Sequence, residues 1–135
     1  MKVLFIGVVV VLLLLVGLSV YVRTAPLRPL AVEGQYTADT DLAGGYVAVR
    51  RFQGEARDLI ARVTQIADAT PRTQILSTDP LRFVTRSRVM GFPDITQVFV
   101  RDGVLTIHAH LVFGSSDLGV NKARVLAWLD QLGPL

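Results

Sequence analysis

Two histidines and three arginines stand at alternating positions, so on extended strands each set would share one face. His108 and His110 have the spacing at which two imidazoles on a strand bind a metal ion. Arg82, Arg86 and Arg88 predict an anion site, because guanidinium groups hold phosphates and carboxylates through paired hydrogen bonds. The alternatives are exposed or hydrogen-bonded histidines and a solvated strand face whose arginines pair with aspartates. The nearby aspartates are Asp79, Asp94 and Asp102.

A metal site would need one or two ligands beyond the histidines, and Asp94 and Asp117 are the nearby candidates. A hydrolase would need a serine nucleophile, Ser115 or Ser116, with a histidine base and an orienting aspartate. No nucleophile elbow surrounds either serine, and a Ser-Asp pair before a helix is typical of capping. We therefore predict neither a metal nor a catalytic residue.

The loop Gly114–Asn121 precedes the last predicted helix, which ends near Leu132. Asp117 or Ser116 is expected to accept hydrogen bonds from the free amides at the start of this helix. Arg124 is expected to pair with Asp117 or an adjacent carboxylate. The same amides could instead hold an anion.

Three consecutive predicted strands, residues 81–90, 95–101 and 104–113, must position these side chains. Asp102-Gly103 predicts a two-residue type I′ hairpin that pairs Arg101 with Val104. The same register pairs Gln97 with His108. One face then carries the core residues Val98, Val100, Leu105, Ile107 and Ala109. The other, half-polar face carries Gln97, Phe99, Thr106, His108 and His110.

Earlier elements complete an α+β domain over residues 46–133. Strands are predicted at 46–52 and 73–76, and the apolar spacing from Leu59 to Ala67 predicts a helix over 55–69. Thr70-Pro71 ends that helix. We expect a two-layer sandwich of a mostly antiparallel five-stranded sheet with two helices on one face.

The chain begins with an apolar run, Val3–Val22, long enough to cross a hydrocarbon core of ~30 Å. It predicts an uncleaved transmembrane anchor over residues 1–23; a cleavable signal peptide is the alternative. Residues 24–45, rich in proline and glycine, predict a flexible linker that lets the domain stand off the bilayer. A short tail before a long apolar run is typical of a signal-anchor. We therefore predict a single-pass inner-membrane protein with a periplasmic domain.

Charge argues against nucleic acid as a partner. Of 14 basic residues, Lys2 and Arg23 flank the apolar run, which leaves 12 against 11 acidic residues in the rest of the chain. The domain is therefore near neutral and lacks interleaved aromatic residues. Because the chain has no cysteine, disulfides and thiolate ligands are excluded.

Three segments resemble the bacterial and plastid family called domain of unknown function 1499. They are Thr70–Thr73, Thr85–Asp94 and Gly114–Asn121 followed by Arg124, and the resemblance spans Ala48 to Leu132. Many family members have Ser and Arg where this chain has Leu111 and Val112, so no role is carried over for that arginine. The resemblance implies a frequently membrane-attached domain and no particular reaction.

These observations favour a non-catalytic module that binds an anionic small molecule, a lipid headgroup or an envelope protein, without a cofactor. The candidate ligand-binding residues are Arg86, Arg88, Asp94, His108, His110, Asp117, Asn121 and Arg124. The alternative is a small hydrolase or metal-dependent enzyme that uses His108 or His110 with Asp94 or Asp117.

Overall fold

A computed structural model describes residues 1–27 and 36–135. In these residues the helices are α1 (Lys2–Thr24), α2 (Ala56–Ala69) and α3 (Val120–Leu132). The strands are β1 (Thr40–Leu42), β2 (Gly45–Arg51), β3 (Thr73–Thr78), β4 (Leu81–Arg86), β5 (Pro93–Arg101) and β6 (Val104–Leu111). They form one antiparallel sheet in the order β1-β2-β6-β5-β4-β3.

The expected α+β architecture is confirmed, but the sheet has six strands in the described residues rather than five. The additional strand, β1, pairs Thr40 with Val47 and Leu42 with Gly45. Three residues are too few to show the two-residue period from which strands are predicted. β1 lies within the predicted linker 24–45, of which residues 28–35 lie outside the described part of the chain.

Several element ends differ from the prediction. β4 ends at Arg86 rather than at Met90, because a tight turn closes there: the Ser87 amide donates to the Phe92 carbonyl at 2.9 Å. α3 begins at Val120, after Leu118 and Gly119, both of which have positive φ angles.

The predicted hairpin register is confirmed over its whole length. Arg101 pairs with Val104, Gln97 with His108, and Ile95 with His110. Asp102 (φ 52°) and Gly103 (φ 71°) have the two positive φ angles that a type I′ turn requires.

Both α2 and α3 pack on one face of the sheet, as predicted. The buried cluster includes Leu59 and Val63 from α2 and Val125, Trp128 and Leu132 from α3, packed on strand residues Phe83, Val98, Leu105, Ile107 and Ala109. The rings of Trp128 and Phe83 pack edge to face, with their centroids 5.6 Å apart. The indole nitrogen of Trp128 donates to the Thr70 hydroxyl at 2.9 Å. This contact ties the end of α2 to α3.

The opposite face of the sheet, predicted to be half polar, is buried in part as well. Its buried residues are Val47, Val84, Ile95, Gln97, His108 and His110. Among the described residues, Tyr36 lies over this face with its ring 6.2 Å from that of His108. Val22, at the end of α1, is also buried. The chain around the end of α1 is therefore part of the folded domain.

Candidate functional site

Arg86 joins the domain to the C-terminal end of α1. Its guanidinium donates to the carbonyls of Val22 (3.2 Å), Arg23 (3.2 Å) and Gly91 (3.1 Å). Carbonyls in the last turn of a helix lack partners within the helix and carry partial negative charge, so a cation stabilises them. Arg72 supports this arrangement through two hydrogen bonds of 3.0 Å. Its backbone carbonyl accepts the Arg86 amide, and its Nε donates to the Arg86 carbonyl.

The loop Ser87–Phe92 lies against the last turn and a half of α1. Ser19 donates to the Met90 carbonyl (3.0 Å), and Arg23 donates to the Val89 carbonyl (3.5 Å). A Cβ on Gly91 would lie 2.7 Å from the Arg23 guanidinium, and Gly91 has a φ of 81°. Both facts favour glycine at this position. These contacts, with those of Arg86, form what we call the anchor junction.

Aromatic rings extend the anchor junction. The Tyr21 ring meets that of Phe113 at 6.2 Å, and Phe113 lies 6.3 Å from Phe92. In the described residues α1 contacts two loops of the domain directly, and the linker predicted over residues 24–45 stays a prediction. Ser19, Arg23 and Arg72 were not predicted as part of any site. The position of Arg23 at the end of the apolar run was the available signal.

His108 and His110 stack on each other, with ring centroids 4.9 Å apart and an interplanar angle of 29°. Nδ1 of His108 and both ring nitrogens of His110 are buried without a hydrogen-bond partner in the described chain. Burial lowers the pKa of His108. Burial and then the neighbouring His108 lower the pKa of His110 to about 4. Both rings are therefore neutral at pH 7, the form in which imidazole binds metals.

Other metal ligands do not converge on these two rings. Residues 1–27 and 36–135 contain no group of three or more His, Cys, Asp or Glu side chains that could hold a metal ion.

Asp94, Asn121 and Arg124 form a cluster on the helix side of the sheet. Arg124 bonds the Asp94 carboxylate at 2.8 Å and the Asn121 side-chain oxygen at 3.0 Å. Arg124 therefore pairs with Asp94, not with Asp117. The two charged side chains are largely buried, 8% and 19% exposed. Burial raises the pKa of Asp94 despite the attraction of Arg124, as expected for a carboxylate removed from water.

Asp117 caps the start of α3, as the sequence predicts. Its carboxylate accepts the amides of Asn121 (2.9 Å) and Gly119 (3.1 Å). Burial alone would raise the pKa of Asp117, but these hydrogen bonds lower it overall. Within the described chain the Ser116 hydroxyl accepts one amide, that of Leu118, at 3.3 Å.

The predicted site residues therefore fall into separate places. Asp94, Asp117, Asn121 and Arg124 lie together at the start of α3, whereas Arg86 is bonded to α1 and Arg88 is exposed. His110 pairs in register with Ile95, the neighbour of Asp94, and adjacent side chains of a strand point to opposite faces. The sheet thus separates the histidines from the carboxylate that an enzyme would need beside them.

A shallow groove lies at the other end of the sheet from α1. It includes Tyr36, Phe99 and Thr106, with two exposed arginines, Arg51 and Arg101. Arg51 and Arg101 both pair with Val104, one from each side of β6, so they lie on the same face of the sheet. Two strand spacings separate their backbones by roughly 10 Å. The three ion pairs found in the described residues involve neither of them. Asp79 and Asp102 also line this distal groove.

Comparison with known proteins gives one match. A family model described as "Protein of unknown function (DUF1499)" matches residues 22–132, beginning at the buried Val22. No curated protein and no solved structure matches the chain.

Proposed function

Because this chain belongs to the DUF1499 family, for which no activity is described, we propose its function from geometry: it is a membrane-anchored module that binds an anionic envelope ligand or partner. The anchor junction is the observation that carries this proposal. In it, the end of an exposed 23-residue apolar helix is bonded directly to the folded domain.

The junction favours a retained anchor over a cleaved signal peptide. Cleavage after Ala25 would remove Val22 and Arg23, which supply two of the three carbonyls that Arg86 bonds. It would also remove a buried side chain, Val22, from the domain. The family match supports the same reading, since it includes these residues. We further propose that α1 lies in the inner membrane with the domain in the periplasm, the side to which a signal-anchor exports the chain that follows it.

We propose the distal groove as the surface for an anionic partner, with contacts made by Arg51 and Arg101; Asp79 and Asp102 line it as well, so the fit rests on these two arginines and not on net charge. Arg86 already serves α1 and Arg124 already pairs with Asp94, whereas Arg51 and Arg101 are exposed on one face beside Tyr36 and Phe99. Guanidinium groups bind carboxylates and phosphates, and aromatic side chains add contact area at little entropic cost. A hydrolase or metal enzyme built on the histidines has less support, because the sheet separates them from Asp94.

Mass spectrometry of the full-length protein purified from membranes tests the anchor. We expect a chain that retains residues 1–25. A chain that begins after Ala25 would overturn the anchoring proposal.

A thermal-shift series on the same protein in nanodiscs tests the groove. Inorganic phosphate, glycerol phosphate and polyglutamate are the probes, since a ligand of the folded state raises the unfolding midpoint. We expect Arg51→Gln and Arg101→Gln to abolish the shift, while Arg57→Gln, an exposed arginine on α2, retains it. No shift with any probe, or equal loss in the Arg57 control, would contradict binding at the groove.

A further inference from the structure

We propose that the loop Ser87–Gly91, which we call the interfacial loop, enters the boundary between the headgroups and the hydrocarbon core of the bilayer beside α1. The domain then has a second contact with lipid, through Val89 and Arg88. This inference rests on the proposed membrane anchoring by α1.

The depth of the interfacial loop follows from the length of the apolar run. Val3–Val22 rises ~30 Å at 1.5 Å per residue, which matches the thickness of the hydrocarbon core. Ser19 lies three residues before the end of this run, about 5 Å inside that boundary. Its hydroxyl is 3.0 Å from the Met90 carbonyl. A membrane that covers the apolar part of α1 therefore also reaches Met90.

The backbone of the interfacial loop is suited to a medium that contains little water. The carbonyls of Val89, Met90 and Gly91 accept hydrogen bonds from Arg23, Ser19 and Arg86 in turn. Unpaired backbone groups are costly away from water, so few loops tolerate that environment. Two of the three donors belong to α1, so the anchor itself satisfies two of these three carbonyls.

The side chains around the loop match the chemistry of a bilayer surface. Val89 is 80% exposed, so its apolar side chain contacts the surrounding medium. Arg88 beside it is exposed as well. Tyr21, 60% exposed, lies at the end of the apolar run and packs on Phe113. Aromatic side chains concentrate at this level of a membrane, and arginine is attracted to anionic headgroups there. Anionic phospholipid is thus the partner that this surface fits.

Spin labels test the proposal, because the chain has no native cysteine. The full-length protein carries a nitroxide at Val89→Cys and is reconstituted in nanodiscs of phosphatidylcholine and phosphatidylglycerol. Collision with oxygen, which concentrates in lipid, is compared with collision with a water-soluble nickel chelate. We expect the Val89 label to favour oxygen, and a label at the exposed Gln53→Cys, beyond the end of β2, to favour the chelate.

A third label, at Val10→Cys in the middle of α1, separates this inference from the anchoring on which it rests. If the Val10 label favours the chelate, anchoring itself fails. If the Val10 label favours oxygen and the Val89 label behaves like that at Gln53, only the loop contact is wrong. A Val89 label shielded from both reagents would indicate a protein partner or a second copy of the chain, and would also overturn the lipid contact.

The role of Arg88 has its own readout. In the Val89→Cys protein, replacement of phosphatidylcholine by a mixture with phosphatidylglycerol is expected to raise the oxygen preference of the label. Arg88→Gln should remove this dependence on anionic lipid, whereas Arg57→Gln should preserve it. Equal behaviour of the two variants would contradict a headgroup contact by Arg88.

Discussion

His110 has two buried ring nitrogens without a described hydrogen-bond partner, and its pKa in the folded protein is about 4, well below the ordinary 6.5. Above pH 6.5 the ring is neutral whether the chain is folded or unfolded. As the pH falls from 6.5 to 4, the unfolded chain takes up a proton that the folded chain does not. Acidification over this window therefore costs stability, by up to about 3 kcal/mol.

We predict that His110→Leu will flatten the dependence of stability on pH between 6.5 and 4. Trp128, the only tryptophan, is buried in the core, so its fluorescence reports unfolding of the full-length protein in detergent. Because carboxylates titrate in both proteins, the difference between the wild-type and variant curves isolates the imidazole. Parallel curves for the two proteins would show that His110 is not the group responsible.

The Asp94–Arg124 pair differs from the neutral histidines, because both of its largely buried side chains carry charge and each compensates the other. Arg124→Met should cost about 3–5 kcal/mol, since it leaves the Asp94 carboxylate buried and uncompensated. The double variant Asp94→Leu/Arg124→Met should recover part of that loss. Lys122→Met on the same helix is the control, because the exposed Lys122–Asp41 pair contributes roughly 1 kcal/mol or less. Urea unfolding gives all three values, and a double variant no more stable than Arg124→Met would contradict the coupling.

At the scale of elements, the start of α3 depends on a single carboxylate. Asp117→Ala removes the acceptor of two amides and should lower stability by about 1 kcal/mol, with fraying of the first turn of α3. Ser116→Ala, which loses one longer bond, should change stability little. Amide hydrogen exchange at Asn121 distinguishes the two, and equal protection in both variants would contradict the capping role.

Local patterns predicted the parts of the fold that local chemistry determines. Asp102-Gly103 predicted the register of the β5–β6 hairpin, because one turn type suits that dipeptide. Alternation then assigned each side chain to a face, but it could not predict what covers a face. The burial of His108 and His110 comes from long-range packing, with Tyr36 more than 70 residues away in sequence. Arg86 was predicted to bind an anionic ligand, whereas its guanidinium bonds two carbonyls of α1 and that of Gly91, and alternation along a strand could not predict these acceptors.

At the scale of the whole molecule, Arg86 couples the anchor to the domain. We predict that Arg86→Gln will loosen this coupling, because three carbonyls lose a charged donor. Pulsed electron paramagnetic resonance between labels at Leu14→Cys and Gln53→Cys should give a narrow distance distribution in the parent protein and a broad one in the variant. Arg82→Gln lies on the same strand as Arg86 and removes a bond to Gln97 on β5, so it should leave the distribution narrow. An unchanged width in Arg86→Gln would show that the remaining contacts are sufficient.

The anchor junction also determines how this protein meets other molecules. Under the proposed anchoring, a domain held against α1 explores its surroundings by lateral diffusion, and encounters with partners in the same membrane become a two-dimensional search. The distal groove lies up to roughly 27 Å along β5 from the junction, at the far end of a nine-residue strand. If the groove binds as proposed, a partner in that membrane must carry its acidic group at that height, and a shorter one would not reach the groove.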